Sequence, residues 1–185
     1  MLRLPIHRAV RFLLVTPHYP ENVGAACRAI KTMGFSEIGL VKPSRLASVD
    51  HPMAEKMAVK STDVLQNALI FDNLDEAVVG FELVVATTSR RGVSGVVGPE
   101  AVAEKLVRLA SAGKRGCIVF GNEKSGLTGD ELARADLYLR IPMAAEQPSI
   151  NLAQAVQVVS YQLFRAALDA KDEASRRAPA DDEAP

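Results

Sequence analysis

The sequence predicts an α/β protein, a sheet flanked by helices, and three observations predict it. Short apolar runs alternate with amphipathic stretches along the chain. The 185 residues are 48% hydrophobic and 24% charged, close to the globular average, which excludes a disordered chain, a coiled coil and a collagen-like repeat. A chain of this length buries a full core without metals or disulfides, and no interior linker or internal repeat divides it. One domain is therefore expected over residues 1–171. Residues 172–185 are expected to be a disordered tail, because ASRRAPADDEAP carries two prolines and no apolar periodicity.

Val10–Thr16 (VRFLLVT) reads as a buried strand, ended by Pro17 and Pro20. From Asn22 the period changes. Val23, Cys27, Ile30 and Gly34 recur at helical spacing, with Asn22 as the N-cap and Gly34 as the stop. Ile38–Val41 is a second strand before Pro43, and Met53–Val59 a helix beyond a loop. Leu69–Phe71 is a weaker strand and Leu83–Thr87 (LVVAT) a strong one. After the glycine-rich SRRGVSGVVG comes a helix over Glu100–Ser111, closed by Gly113. Gly116–Phe120 (GCIVF) is another buried strand, and GNEKSGLTG a loop opening a short helix near Asp130–Arg134. Tyr138–Ile141 is the last strand, stopped by Pro142. The longest helix runs from Asn151 to about Lys171, with Leu152, Val156, Val159, Leu163 and Ala166 as its apolar stripe.

No apolar run approaches the roughly 18 residues of a membrane span, and MLRLPIHRAVRF lacks a secretory core, so a cytoplasmic protein is expected, with no membrane partner. Cys27 and Cys117 form no CxxC pair, and His7, His18 and His51 are scattered, so no metal site is expected and both thiols read as buried. The 22 basic and 22 acidic residues cancel, which taken alone disfavours a nucleic-acid partner. The cancellation is uneven. Residues 1–60 carry 9 basic and 4 acidic groups, 61–85 carry 0 and 5, and 86–116 carry 6 and 2. Zero is thus a sum of unlike blocks, and a total can hide a localised basic surface.

Open α/β sheets bind ligands at the carboxyl ends of their strands, so the segments after strands carry the chemistry. In PHYPENVGAACRAIKTMG, the small Gly24 and Ala25 lie on the helical face of Arg28 and leave it open to a close-approaching partner. Arg28 is either a phosphate-binding fork or a surface arginine. VVATTSRRGVSG follows a strand, yet GxGxxG and GxxxxGK[ST] are absent, which disfavours NAD and ATP sites. In VFGNEKSGLTGDEL, glycines bracket Asn122 and Glu123, as in a loop that offers backbone groups to an adenine-like ligand or in a plain tight turn. In RIPMAAEQPSINLAQAVQVV, Ser149 or Asn151 caps the long helix. No catalytic triad and no carboxylate pair is visible.

Taken in order, ENVGAACRAIKTMGF, FGNEKSGLTGDEL and IPMAAEQPSINLAQAVQVVSYQL resemble the three motifs of the SPOUT superfamily of RNA methyltransferases over about residues 10–168. The resemblance is closest to its SpoU/TrmH branch of ribose 2′-O-methyltransferases, and especially to TrmJ-type tRNA enzymes. It implies a parallel-sheet, three-layer SPOUT fold with a C-terminal deep trefoil knot, an exception to the rule against knotted chains. It also implies S-adenosylmethionine as cofactor, S-adenosylhomocysteine as product, no metal, and a homodimer whose interface builds the active site. Residue by residue, Thr87, Thr88 and Ser89 match the first cofactor loop, Gly121 the second, Ile141 the apolar residue whose backbone meets the adenine, and Pro148, Ser149 and Ile150 the third. Arg28 falls on the catalytic arginine, and Asn22, Glu123 and Asn151 on motif residues with supporting roles in catalysis.

Two departures bear on the substrate. TrmJ-type enzymes have a helical C-terminal extension that residues 172–185 do not resemble, and Asn122 stands where an arginine is frequent. The expected reaction is methyl transfer to a ribose 2′-hydroxyl, with tRNA favoured over rRNA as substrate. An inactive SPOUT domain that only binds RNA is the rival reading. Arg8, Arg11, Lys31, Arg90, Arg91 and, less centrally, Arg45 are the candidate RNA contacts.

Overall fold

A computed structural model describes residues 2–145 and 150–177 of the chain. Seven strands form one sheet in which every pair is parallel: β1 (Val10–Val15), β2 (Ile38–Val41), β3 (Leu69–Phe71), β4 (Leu83–Thr87), β5 (Val96–Val97), β6 (Gly116–Phe120) and β7 (Leu137–Leu139). Their spatial order is β3-β2-β1-β6-β4-β7-β5, with β1 and β6 at the centre in the register Val10↔Gly116 to Leu14↔Phe120. Apart from the half-buried Arg11 near the amino edge, both central strands are apolar and buried on both faces, as a parallel sheet covered on two sides requires.

The pleat sorts the strand residues into two cores. Phe12, Leu14, Ile38, Leu40, Val85, Ile118 and Phe120 point to one side. There they meet α2 (Pro20–Thr32), α6 (Pro99–Ser111) and α8 (Leu152–Arg177), with the shorter α1 (Ile6–Ala9), α3 (Pro52–Met57) and α4 (Thr62–Gln66) around them. Phe12 crosses Phe35 edge-on at 5.2 Å and stacks on Phe120 at 6.4 Å. Leu13, Val15, Val41, Val84, Ala86, Cys117 and Val119 point to the other side, against Leu74 and Ala77 of α5 (Leu74–Ala77) and Leu132 of α7 (Gly129–Leu132). The result is three layers, helix–sheet–helix, thick on one face and thin on the other.

Several expectations shift. α2 begins at Pro20, not Asn22, because proline's fixed φ suits a first helical residue; Tyr19 takes the N-cap position and Asn22 lies one turn inside. α8 continues past the expected Lys171 to Arg177, with Glu173 and Arg177 4.0 Å apart across one turn. The expected tail over 172–185 is therefore helical as far as 177, and residues 178–185 lie outside the described residues. α1, α4, α5 and β5 have no counterpart in the sequence reading; β5 hides in SRRGVSGVVG because two valines among glycines show no alternation.

Candidate functional site

A cleft of about 220 Å³, partly open to solvent, lies at the carboxyl ends of β4, β6 and β7, closed on one side by the start of α8. Six of the expected cofactor positions line it: Thr87, Thr88 and Ser89 after β4, Gly121 after β6, Ile141 after β7, and Ile150 before α8. Pro148 and Ser149 lie outside the described residues. Leu139, Met143 and Leu152 add apolar wall. The Thr87 hydroxyl donates to the Val119 carbonyl at 3.1 Å, tying β4 to β6, and the Thr88 N–H donates to the Leu139 carbonyl at 2.9 Å. The cleft mouth is basic: Arg90, Lys124 and Arg140 all line it.

The loop after β6 is a locked turn. The Asn122 carbonyl accepts from Gly126 N–H at 2.8 Å, and its side-chain oxygen from the N–H groups of Lys124 and Ser125 at 2.9 and 3.3 Å. Its amide donates at 2.7 Å to the carbonyl of Thr16, whose φ of 45° is unusual for a residue other than glycine. Gly121 must be glycine for space: a Cβ there would lie 2.3 Å from the Gly126 carbonyl carbon and 2.4 Å from Leu127 N. Asn122 is thus a positioning residue that motif reading noted only as a departure. Its signal in the sequence is an Asn followed by small and polar residues up to a glycine.

Glu123, inside that turn, joins three segments. One carboxylate oxygen accepts from His18 N–H at 2.9 Å; the other accepts from Tyr19 N–H at 3.1 Å and the Asn22 amide at 2.9 Å. The Asn22 oxygen accepts from the Asn151 amide at 2.9 Å, and the Asn151 oxygen accepts from Ala153 and Gln154 N–H at 2.9 and 3.3 Å, capping α8. Burial raises the Glu123 pKa, but the Asn22 amide and the backbone N–H groups of Glu123, His18 and Tyr19 together hold it below the usual carboxylate value. Glu123 is therefore a charged brace and a poor base. Asn22, Glu123 and Asn151, which the motifs grouped, are brought together.

Arg28 is not. It is exposed on α2, does not line the cleft, and makes no ion pair among the described residues. Six residues at 1.5 Å each place it about 9 Å along the helix from Asn22. Gly24 does not open space beside it. A Cβ at Gly24 would sit 2.0 Å from the Ala54 carbonyl oxygen, so the glycine exists to let α3 approach α2.

Two of the candidate RNA contacts are structural. Arg11 is at the amino edge of the sheet, away from the cleft, 2.9 Å from Glu37 and stacked over Phe81 at 4.9 Å. Lys31 bonds Asp63 at 2.5 Å and the Lys60 carbonyl at 2.8 Å. Arg8, Arg45, Arg90 and Arg91 are exposed. Cys27 and Cys117 are buried, and burial pushes both thiols up to about 12. Among the described residues, no cluster of three or more His, Cys, Asp or Glu could hold a metal ion, and no helix is long and apolar enough to cross a membrane.

Comparison with known proteins points to one family. The model of the SpoU rRNA Methylase family matches residues 9–161. The chain is 40% identical over 156 residues to the uncharacterized tRNA/rRNA methyltransferase LasT of Escherichia coli, covering 83% of this chain and 67% of that one. It is 37% identical over 164 residues to the tRNA (cytidine/uridine/adenosine-2′-O-)-methyltransferase TrmJ of Pseudomonas aeruginosa, covering 88% and 63%. The crystal structure of TrmJ from Z. mobilis superposes with a TM-score of 0.76 at 36% identity, over 84% of this chain and 69% of that one. The chain spans about two thirds of the length of these curated relatives.

Proposed function

The chain belongs to the SpoU rRNA methylase family, and we propose that it transfers a methyl group from S-adenosylmethionine to a ribose 2′-hydroxyl, with tRNA as the substrate. The observation that carries this reading is the convergence of six motif positions on one cleft at the carboxyl edge of the sheet. The lining fits the cofactor. Leu139, Ile141 and Leu152 offer an apolar slot for a flat base, and the Thr88 and Ser89 hydroxyls offer polar partners. When bound, S-adenosylmethionine supplies a sulfonium-activated methyl group.

The chain's own residues do the positioning, which can lower a barrier by roughly 7–11 kcal/mol when the reacting atoms are held at near-attack distance. Asn122 and Glu123 fix the second loop against the end of β1, and Asn151 fixes the start of α8 to α2. Arg28 holds a substrate phosphate beside the reacting ribose. A guanidinium with pKa above about 12 is a poor proton acceptor, so the hydroxyl proton leaves to water or to a phosphate. Because Arg28 does not reach its own cleft, a homodimer in which it serves the other copy's cleft completes the site. The exposed Val158 and Tyr161 on one face of α8 suit such a contact.

The knotted form of the fold belongs to the same reading. β7 lies between β4 and β5, so the link over residues 88–95 joins two strands across β7, an arrangement that supports a trefoil crossing at this place. The Arg140 guanidinium donates to the Arg90 carbonyl in that link.

The test is tritium transfer from methyl-labelled S-adenosylmethionine to separate tRNA and rRNA pools. Label in the ribose of tRNA is expected. Label only in rRNA would move the substrate, and none in either pool would overturn the activity. In the same assay Arg28→Lys is expected to fall at least tenfold, since a lysine cannot make a forked phosphate contact. Wild-type rates with lysine would refute that role.

A further inference from the structure

The turn between β1 and α2 carries an exposed aromatic ring that the transfer chemistry does not use. Tyr19 is 42% exposed although its backbone is held firmly: its N–H and that of His18 both bond Glu123, which lines the cleft. The His18 ring stands perpendicular to the Tyr19 ring at 4.8 Å and fixes its orientation. The ammonium of Lys124, an exposed residue of the cleft rim, lies 5.6 Å from the Tyr19 ring centre. A rigid backbone, an edge-on neighbour and a movable cation beside an open ring make a preorganised stacking surface next to the site of methyl transfer.

We infer that Tyr19 is a stacking platform for an unpaired base of the RNA, adjacent to the nucleotide being methylated; this rests on the reading of the cleft as an RNA methyltransferase site. Single-stranded RNA is recognised by unstacked bases laid on aromatic side chains, with cations taking the flanking phosphates. The geometry supplies both. A base entering over Tyr19 displaces the Lys124 ammonium from the ring, and the freed ammonium meets the phosphate of the same nucleotide. The platform is sequence-tolerant, since every base has a π-face, so it orders the strand at the cleft mouth while base edges are read elsewhere.

The experiment measures binding of fluorescently labelled bulk bacterial tRNA by anisotropy and of S-adenosylhomocysteine by calorimetry, for the full chain and for Tyr19→Phe, Tyr19→Leu and Tyr19→Ala. Phenylalanine keeps the ring and is expected within about twofold of wild type. Leucine and alanine are expected to weaken tRNA binding by roughly 5- to 150-fold, the factor one base on one aromatic ring contributes, with S-adenosylhomocysteine affinity and oligomeric state unchanged. Unaltered tRNA binding by Tyr19→Leu overturns the platform. So does a parallel loss of S-adenosylhomocysteine binding, which would make Tyr19 a wall of the cleft, or a change of oligomeric state, which would make it a subunit contact. Wild-type protein that binds no tRNA overturns the tRNA reading itself, and the platform with it.

Discussion

Replacing Gly121 by alanine tests whether the turn after β6 is as tight as the cleft requires. The new Cβ would lie 2.3 Å from the Gly126 carbonyl carbon, 2.4 Å from Leu127 N and 2.8 Å from the Gly126 Cα. All three are backbone atoms, so no side chain can swing away, and the turn must open by about 1 Å to reach ordinary contact distance. Overpacking of this kind costs typically about 1–3 kcal/mol. For a chain of this size that lowers Tm by roughly 2–12 °C. The opened turn also moves Asn122 and Glu123, and a displacement of about 1 Å in a positioning element can cost on the order of 100-fold in rate. The matched control is Gly129→Ala, since a Cβ there meets nothing within 4 Å. It stands at the first turn of α7, where alanine is expected to be neutral or to stabilise by up to about 1 kcal/mol. Differential scanning fluorimetry reads stability, and calorimetry with S-adenosylhomocysteine reads the cleft. A Gly121→Ala protein with wild-type Tm and wild-type affinity would refute the account of this loop.

Two further outcomes follow from the same geometry. Gly24→Ala presses a Cβ to 2.0 Å from the Ala54 carbonyl oxygen, so it is expected to lose about 1–3 kcal/mol by thermal melting. Because no residue of α2 or α3 lines the cleft, its S-adenosylhomocysteine affinity should stand. Glu123→Gln removes the charge that His18, Tyr19 and Asn22 bond. The folded-state pKa of Glu123 lies below the free value of 4.5, so its stabilisation is fully present above that value and is lost as pH falls through the lower folded one. The Tm gap between wild type and Glu123→Gln should therefore be wide at neutral pH and close in acid, and a gap constant with pH would refute the brace.

Strands were legible where apolar runs were long or sharply bounded. Ile38–Val41, Leu69–Phe71, Leu83–Thr87 and Gly116–Phe120 stand where the sequence puts them, because a buried parallel strand needs no partner to be recognised as apolar. The two-residue β5 was not legible, since it is held by pairing with the distant β7, whereas Leu74–Ala77 carried a local signal that went unread, Asn73 three residues before Glu76, whose N–H bonds the Asn73 side-chain oxygen at 2.9 Å. In the site, residue types and order were readable from motifs, but roles were not. Asn22 reads as a cap and proves a link between Glu123 and Asn151. Gly24 reads as clearance for Arg28 and proves clearance for α3. Both depend on what lies across the helix, which a linear spacing rule does not contain.

The net charge of zero takes on a definite meaning once the pairs are placed. Part of the basic excess in residues 1–60 is spoken for: Arg11 is held by Glu37, and Lys31 by Asp63 of the acidic block over 61–85. From the same block Asp75 holds Arg134, and Arg115 also bonds Glu37. Arg90, Lys124 and Arg140 stand around the cleft. Each phosphate neutralised by such a group, or by Arg28 in the role proposed for it, steepens the salt dependence of binding by a fixed increment, so a homodimer that engages both sets gives a marked dependence. Contacts that salt does not screen add to these charges. An exposed ring at the cleft mouth supplies one. The neutral composition that at first argues against RNA is thus that of a chain whose cations are confined to one site and joined there by positioning and stacking.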